Sequence, residues 1–95
     1  MPYQRYNAEL LRRIRNDIPI AWLIKHLRWP CKMRMGQFVF VCPDCGETTT
    51  SVNPRTNLAR CYPCQKNFNT IEFTMFIHQA RFVDTIEYLI PLLPK

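Results

Sequence analysis

The sequence predicts a small α+β fold, in which a short antiparallel sheet is flanked by helices at the N- and C-terminal ends. Apolar residues recur with helical spacing at both ends of the 95-residue chain, while the middle alternates with the period of strands and carries two Cys-x-x-Cys pairs. This length predicts a single domain over residues 1–95. We expect helices over about 7–28, a sheet over about 36–68 and helices over about 70–90.

The N-terminal helices are predicted from their start signals and their periodicity. Asn7 is a suitable N-cap for a helix over residues 7–15. Pro19 suits the first turn of a second helix, DIPIAWLIKHL, and Trp29-Pro30 ends it. The apolar face of this second helix repeats at i, i+3, i+4 and i+7, with Ile20, Leu23, Ile24 and Leu27.

The middle of the chain predicts three short strands. QFVFV, residues 37–41, alternates, so its two phenylalanines point to one face of the sheet and its two valines to the other. A second strand over residues 49–52 and a third over residues 58–61 are joined by the turn NPRTN at residues 53–57.

Two further helices are predicted after the sheet. Asn69 can cap the first of them, and Glu72, three residues later, completes a capping-box pattern. The last helix runs over about residues 82–89, before Pro91 and Pro94.

The cysteines predict one structural zinc ion. Cys42-x-x-Cys45 and Cys61-x-x-Cys64 are fifteen residues apart, which is within the spacing of a four-cysteine zinc site. Four protein ligands leave no open position for catalysis, so the metal would stabilise a sheet too small to hold itself. A thioredoxin-like redox site would need one such pair in a βαβ setting, and two disulfides are rare in the cytoplasm.

Three other metal-capable residues are not expected to bind the ion. Cys31 lies eleven residues ahead of Cys42 and is expected to be a free thiol, partly buried. His26 and His78 fall within predicted helices and are expected at the surface or core edge. His26 would replace a cysteine only if the ligand set above is wrong.

The positive charge is concentrated around the cysteine segment. The formal net charge is +6, and residues 25–70 hold seven bases and two acids, which gives +5 there. Such a basic surface indicates a polyanionic partner, most often nucleic acid, and the alternative is a solvated face that aids solubility. Four thiolates and one zinc dication would leave the chain at +4, still positive.

The chain is expected to be cytoplasmic. No apolar run reaches the ~18 residues of a membrane span. The N-terminus is polar and charged and lacks the apolar stretch of a signal peptide.

The order of these motifs resembles the N-terminal zinc-binding domain of bacterial DnaG-type primases and phage primase-helicases, the CHC2-type zinc finger. The resemblance covers residues 17–89. The segments that carry it are, in chain order, DIPIAWLIKHL, FVFVCP, the residues Glu47, Thr49 and Ser51, then SVNPRTN, CYPC, EFTM and FVDTIEYL.

The chain departs from the family pattern near its cysteines. Cys45 stands where many bacterial primases have histidine, and Thr48 stands where the family has a basic residue. QKNFN replaces a glycine-rich stretch after the last cysteine, and the interval between the two Cys-x-x-Cys pairs is slightly shorter than in the family. These differences leave the fold expectation intact and bear on sequence preference.

The resemblance implies a zinc-dependent module that binds single-stranded template DNA and acts with a separate primase, polymerase or helicase in replication. It implies Cys42, Cys45, Cys61 and Cys64 as zinc ligands, and a DNA face on the exposed side of the sheet. Single-strand binding needs cations for phosphates and rings for bases. The candidates are Arg60, Arg55, Arg34 and Lys66 for phosphate, and Tyr62, Phe38 and Phe40 for stacking.

Arg60 ranks first among these candidates because it precedes Cys61 on its strand and should point away from the metal. For Phe38 and Phe40, packing against the helix that contains Trp22 is the favoured alternative to stacking. The side chains of Asn53, Asn57 and Asn67 are weaker candidates for contacts with base edges.

The chain is not expected to be an enzyme by itself. It lacks a carboxylate cluster for metal-dependent polymerisation and a G-x-x-x-x-G-K-[ST] loop. If it acts in priming, we expect it to be an accessory module or a fragment of a longer primase. The alternative function is a zinc-ribbon adaptor for another protein, for which Tyr88, Ile90, Leu92 and Leu93 would supply an apolar surface.

Overall fold

In the computed structural model, residues 6–94 are described, so residues 1–5 and 95 of the predicted domain lie outside the described residues. The helices are α1 Ala8–Asp17, α2 Ile20–His26, α3 Thr70–His78 and α4 Phe82–Leu89, followed by a 3-10 turn at Ile90–Leu92. The strands are β1 Cys31–Arg34, β2 Gln37–Phe40, β3 Thr50–Asn53, β4 Leu58–Cys61 and β5 Lys66–Phe68. The predicted fold class is confirmed.

The helix starts follow the predicted caps. The Asn7 side chain accepts a hydrogen bond from the Leu10 backbone N–H at 2.8 Å. At the start of α3, Asn69 and Glu72 form both halves of a capping box. These bonds satisfy backbone groups that have no partner within the helix, and so they fix where each helix begins.

The sheet is an antiparallel meander in which only consecutive strands pair, in the order β1-β2-β3-β4-β5. Two of its strands, β1 and β5, were not predicted, and the sheet begins at Cys31, five residues before the expected boundary near 36. CKMR alternates apolar and polar residues, but it is only four residues long and mostly exposed, and KNF has only three residues. Such short segments give a weak pattern, and their strand conformation comes from pairing with β2 and β4.

One face of the sheet packs against the helices, and we call it the core face. Phe40 of β2 contacts Phe73 of α3 edge to face, with the ring centroids 5.4 Å apart. The buried strand residues in this core are Phe40, Val52, Ala59, Cys61 and Phe68. The helices add Ile14, Ile20, Leu23, Ile24, Ile71, Phe73, Ile86 and Leu89.

The opposite face, which we call the outer face, is defined by one row of paired residues that crosses all five strands: Lys32, Val39, Ser51, Arg60 and Asn67. Side chains alternate across a strand, so this row points away from the core face. Val39 is buried on this face but lies outside the core cluster. None of the five strands contains an acidic residue.

Asn57 ties the turn between β3 and β4 to the N-terminal helices. Its Nδ2 donates to the carbonyl of Arg15 at 2.6 Å and to that of Ile18 at 2.9 Å, and its Oδ1 accepts from the Ile20 backbone N–H at 2.8 Å. Thr70 also donates to the Ile18 carbonyl, at 2.9 Å. The polar backbone between α1 and α2 is therefore satisfied by a residue about forty positions away.

Among the described residues, no helix has both the length and the apolar character needed to cross a membrane.

Candidate metal centre and nucleic-acid interface

Each Cys-x-x-Cys pair is held in a tight turn whose last residue has a positive φ angle. After Cys45, Gly46 has φ 82° and its N–H donates to the Cys42 carbonyl at 2.9 Å. After Cys64, Gln65 has φ 57° and its N–H donates to the Tyr62 carbonyl at 3.1 Å. The two turns aim their thiols at one point.

The four Sγ atoms of Cys42, Cys45, Cys61 and Cys64 lie within 4.8 Å of one another. Cys42 and Cys64 are 3.8 Å apart, and Cys45 and Cys61 are 3.4 Å apart. A tetrahedral zinc ion with Zn–S bonds of ~2.3 Å requires sulfur atoms separated by ~3.8 Å. The cluster therefore fits one zinc ion, which these four side chains would hold without an open position.

The ionisation of the clustered thiols also suits a cation. Burial raises the pKa of the Cys61 thiol, but hydrogen bonds from the Cys64 backbone N–H and from Cys45 outweigh burial and lower that pKa to about 7. The hydrogen bond with Cys45, together with burial, raises the pKa of Cys64. A lone thiolate is thus stabilised by its protonated neighbours, and a dication can replace those protons and stabilise four thiolates.

The other predicted residues with metal-ligating atoms lie elsewhere, as expected. Cys31 opens β1 opposite Phe40 and is not among the four clustered thiols. His26 stacks on Trp22 with the ring centroids 4.8 Å apart, and His78 meets Tyr88 edge to face. Within residues 6–94, the four-cysteine group is the metal-capable cluster found.

Arg60 lies on the outer face of the sheet, as predicted, and is held there by neutral groups. Its Nη1 donates to Asn67 Oδ1 at 3.2 Å, and its guanidinium lies 5.4 Å from the centroid of the Tyr62 ring. No ion pair with a carboxylate is found for Arg60 in the described part of the chain. Its charge therefore remains available to an anion.

A groove of about 660 Å³ includes several residues of this face. Ser51, Arg60, Tyr62 and Asn67 line it, and it extends to Gly36 and Gln37 in the turn between β1 and β2. The Tyr62 side chain is 67% exposed, so its ring is accessible to a base.

The other predicted phosphate contacts are dispersed. Arg34 pairs with Gln37 in the β1–β2 hairpin, two residues along from Lys32, and is exposed. Arg55 is exposed in the β3–β4 turn. Lys66 pairs with Cys61, which faces the core, and its Nζ bonds Asp44 at 2.5 Å and lies over the Phe76 ring. Arg60 and Lys66 are therefore on opposite sides of the sheet.

Phe40 is wrong as a stacking candidate because its side chain is only 1% exposed and packs against Phe73. Phe38 is half-buried, and Lys25 Nζ lies 5.7 Å from the centroid of its ring. Core packing, the favoured alternative, holds for Phe40, but its ring contact is with Phe73 of α3. It is Phe38 that contacts the helix containing Trp22, through Lys25. Tyr62 is the ring that remains free beside Arg60.

Asn57 is wrong as a base-reading candidate because all its side-chain bonds are internal. This structural role is the main feature that sequence reasoning missed. The only sequence signal was its position at the end of a turn, where asparagine tolerates the positive φ of 56°.

Comparison with known proteins adds one finding. The family model of the CHC2 zinc finger matches residues 6–93, which include the helices at both ends, the whole sheet and the four clustered cysteines. No curated protein matches the chain.

Proposed function

Because the chain belongs to the CHC2 zinc-finger family, we propose that it binds single-stranded template DNA on the outer face of its sheet. The observation that carries the proposal is Arg60, a cation without a carboxylate partner among the described residues, beside the exposed Tyr62 ring. Single-stranded DNA is bound by this combination of a cation for phosphate and a ring for a base.

The spacing of cations on this face supports the same partner. Lys32 and Arg60 belong to one row and are three strands apart, which separates their backbones by about 14 Å at ~4.8 Å per strand. Between them lie only Val39 and Ser51. Single-stranded DNA carries its charges on the phosphates, which the cations can bind, while its uncharged bases can lie over the strip between them.

The zinc ion would act by holding Cys61, and therefore Arg60 and Tyr62 on either side of it, in a fixed position. Metal binding in such a site stabilises the fold. We infer no catalysis by this chain alone, since the CHC2 zinc finger is a non-catalytic domain of primases. Its work in replication would take place in the cytoplasm, together with a primase, polymerase or helicase partner.

The adaptor alternative has less support. Its apolar surface was expected from Ile90, Leu92 and Leu93, but all three are partly buried and pack against the core. Tyr88 is 37% exposed and contacts His78. These residues therefore give no continuous apolar patch for a protein partner.

The test is fluorescence anisotropy of a labelled single-stranded oligonucleotide, compared with its duplex, at two salt concentrations. The zinc-loaded protein should bind the single strand preferentially. Arg60→Ala should weaken binding and reduce the salt dependence by about 0.7 in log K per log salt, because one phosphate contact is lost.

The matched control is Arg81→Ala. Arg81 is an arginine at the N-cap of α4 whose side chain is 85% exposed and pairs with Asp84. The Arg81→Ala protein should bind the single strand with the affinity of the unaltered protein. Equal losses in both variants would mean that net charge alone drives binding, and no binding at low salt would contradict the proposal.

A further inference from the structure

The hairpin that joins β1 to β2 places a methionine at its tip. Arg34 and Gln37 are paired, so the connection is the two-residue turn Met35-Gly36. Both residues have positive φ angles, 50° and 78°, which are those of a type I′ turn. Asn-Gly, Asp-Gly or Gly-Gly would suit this turn, because a Cβ with a long side chain is disfavoured at positive φ.

The exposed side chain of Met35 gives no packing that would offset the backbone strain at this position. Its side chain is 97% exposed, the highest value among the large exposed apolar residues described, and the neighbouring Met33 is 62% exposed. A strained, fully exposed apolar residue is poorly explained by fold stability. Such outliers cluster at functional contacts.

The charges around the tip favour nucleic acid over a protein as its partner. Residues 28–41 contain three bases, Arg28, Lys32 and Arg34, and no acid. None of these bases forms an ion pair within residues 6–94. A surface with cations and no acid favours a polyanion, and an apolar wedge beside cations is a recurrent device for separating stacked bases.

The tip is also next to the groove described above, since Gly36 and Gln37 line that groove together with Arg60 and Tyr62. We propose that Met35 is a wedge that inserts between two adjacent bases of the bound single strand and unstacks them, while Lys32 and Arg34 hold the flanking phosphates. This inference rests on the proposed single-strand binding and assigns a second contact point to it.

The probe is a set of single-stranded oligonucleotides in which the fluorescent base 2-aminopurine, bright when unstacked, occupies each position in turn. The zinc-loaded protein should raise the fluorescence at one or two adjacent positions. Met35→Asn should abolish that rise and weaken binding about three- to tenfold. Because asparagine suits the turn, the same variant should unfold at a higher temperature.

Two further variants sharpen the test. Met35→Leu keeps an apolar tip and should keep the fluorescence rise. Arg60→Ala should weaken binding but retain the rise at saturating protein, since the tip is intact. If the Met35→Asn protein binds more weakly but unfolds at a higher temperature, loss of structure is excluded as the cause of the weaker binding.

The outcomes separate this inference from the proposed function. If the unaltered protein does not bind single strands, both fail. If it binds and Met35→Asn binds with unchanged affinity and fluorescence, only the wedge is overturned, and the exposed methionine is then a contact for an apolar protein surface.

Discussion

Each Cys-x-x-Cys turn, which we call a knuckle, is followed by one residue whose backbone angle shapes the metal site. Gly46 and Gln65 both have positive φ angles, 82° and 57°, but only the first is glycine. A Cβ at Gly46 would meet nothing within 4 Å, so the backbone angle alone favours glycine there. Gln65 adopts its angle at the cost that a Cβ brings in the left-handed region.

Opposite effects are therefore expected from two reciprocal substitutions. Gly46→Ala should lower the free energy of unfolding of the zinc-loaded protein by about 1 kcal/mol. Gln65→Gly should raise it by about 0.5 kcal/mol, since relief of strain is partly offset by the greater freedom of glycine in the unfolded chain. Urea unfolding measures both, and destabilisation by Gln65→Gly would show that the side chain makes a stabilising contact.

Among the elements, the β3–β4 turn is the one most firmly fixed to the rest of the molecule. The Asn57 side chain bonds three backbone groups around the α1–α2 junction, while the side chain of Asn53, at the start of the same turn, accepts from the nearby Arg55 N–H at 3.0 Å. One asparagine thus joins distant elements and the other shapes a local turn.

Asn57→Ala should lower the free energy of unfolding by about 3 kcal/mol, because partly buried backbone groups lose their partners and alanine is disfavoured at φ 56°. Asn53→Ala, the matched control, should cost about 1 kcal/mol. Urea unfolding monitored by far-UV circular dichroism compares them. Similar losses would show that water replaces the bonds of Asn57.

For the whole molecule, the zinc ion joins the sheet where its strands are short. Cys42 and Cys45 follow β2, Cys61 ends β4 and Cys64 precedes β5, so the ion connects the β2–β3 loop with the β4–β5 hairpin. In a chain of this size, such a connection supplies a large share of the stability that a small core cannot.

Removal of zinc by a chelator should therefore abolish cooperative thermal unfolding and reduce the β-sheet signal in circular dichroism, and zinc should restore both. Cys64→Ser should lose stoichiometric zinc, measured by elemental analysis. Cys31→Ser should retain one zinc per chain, since Cys31 is not in the cluster. A cooperative transition in the zinc-free protein would contradict a folding role for the metal.

The parts predicted from sequence are those set by local chemistry. The caps at Asn7 and Asn69 act on residues three positions away, and the ligands of each knuckle follow from its Cys-x-x-Cys spacing, so both were found. β1 and β5 were missed because their conformation comes from pairing across the sheet. Asn57 was misassigned because its partners are about forty residues away.

The meander topology has a consequence for how the chain folds. Every strand pairs only with its neighbour in sequence, so each hairpin can close independently on a timescale of about microseconds, with little loop entropy to overcome. The hydrogen bonds of Asn57 with Arg15, Ile18 and Ile20 connect residues 37–42 positions apart, and the bond from Thr70 to Ile18 connects residues 52 positions apart. These bonds between the first two helices and the rest of the chain form late, because they need distant residues to meet. Docking of the first two helices, rather than assembly of the sheet, is then expected to set the folding rate.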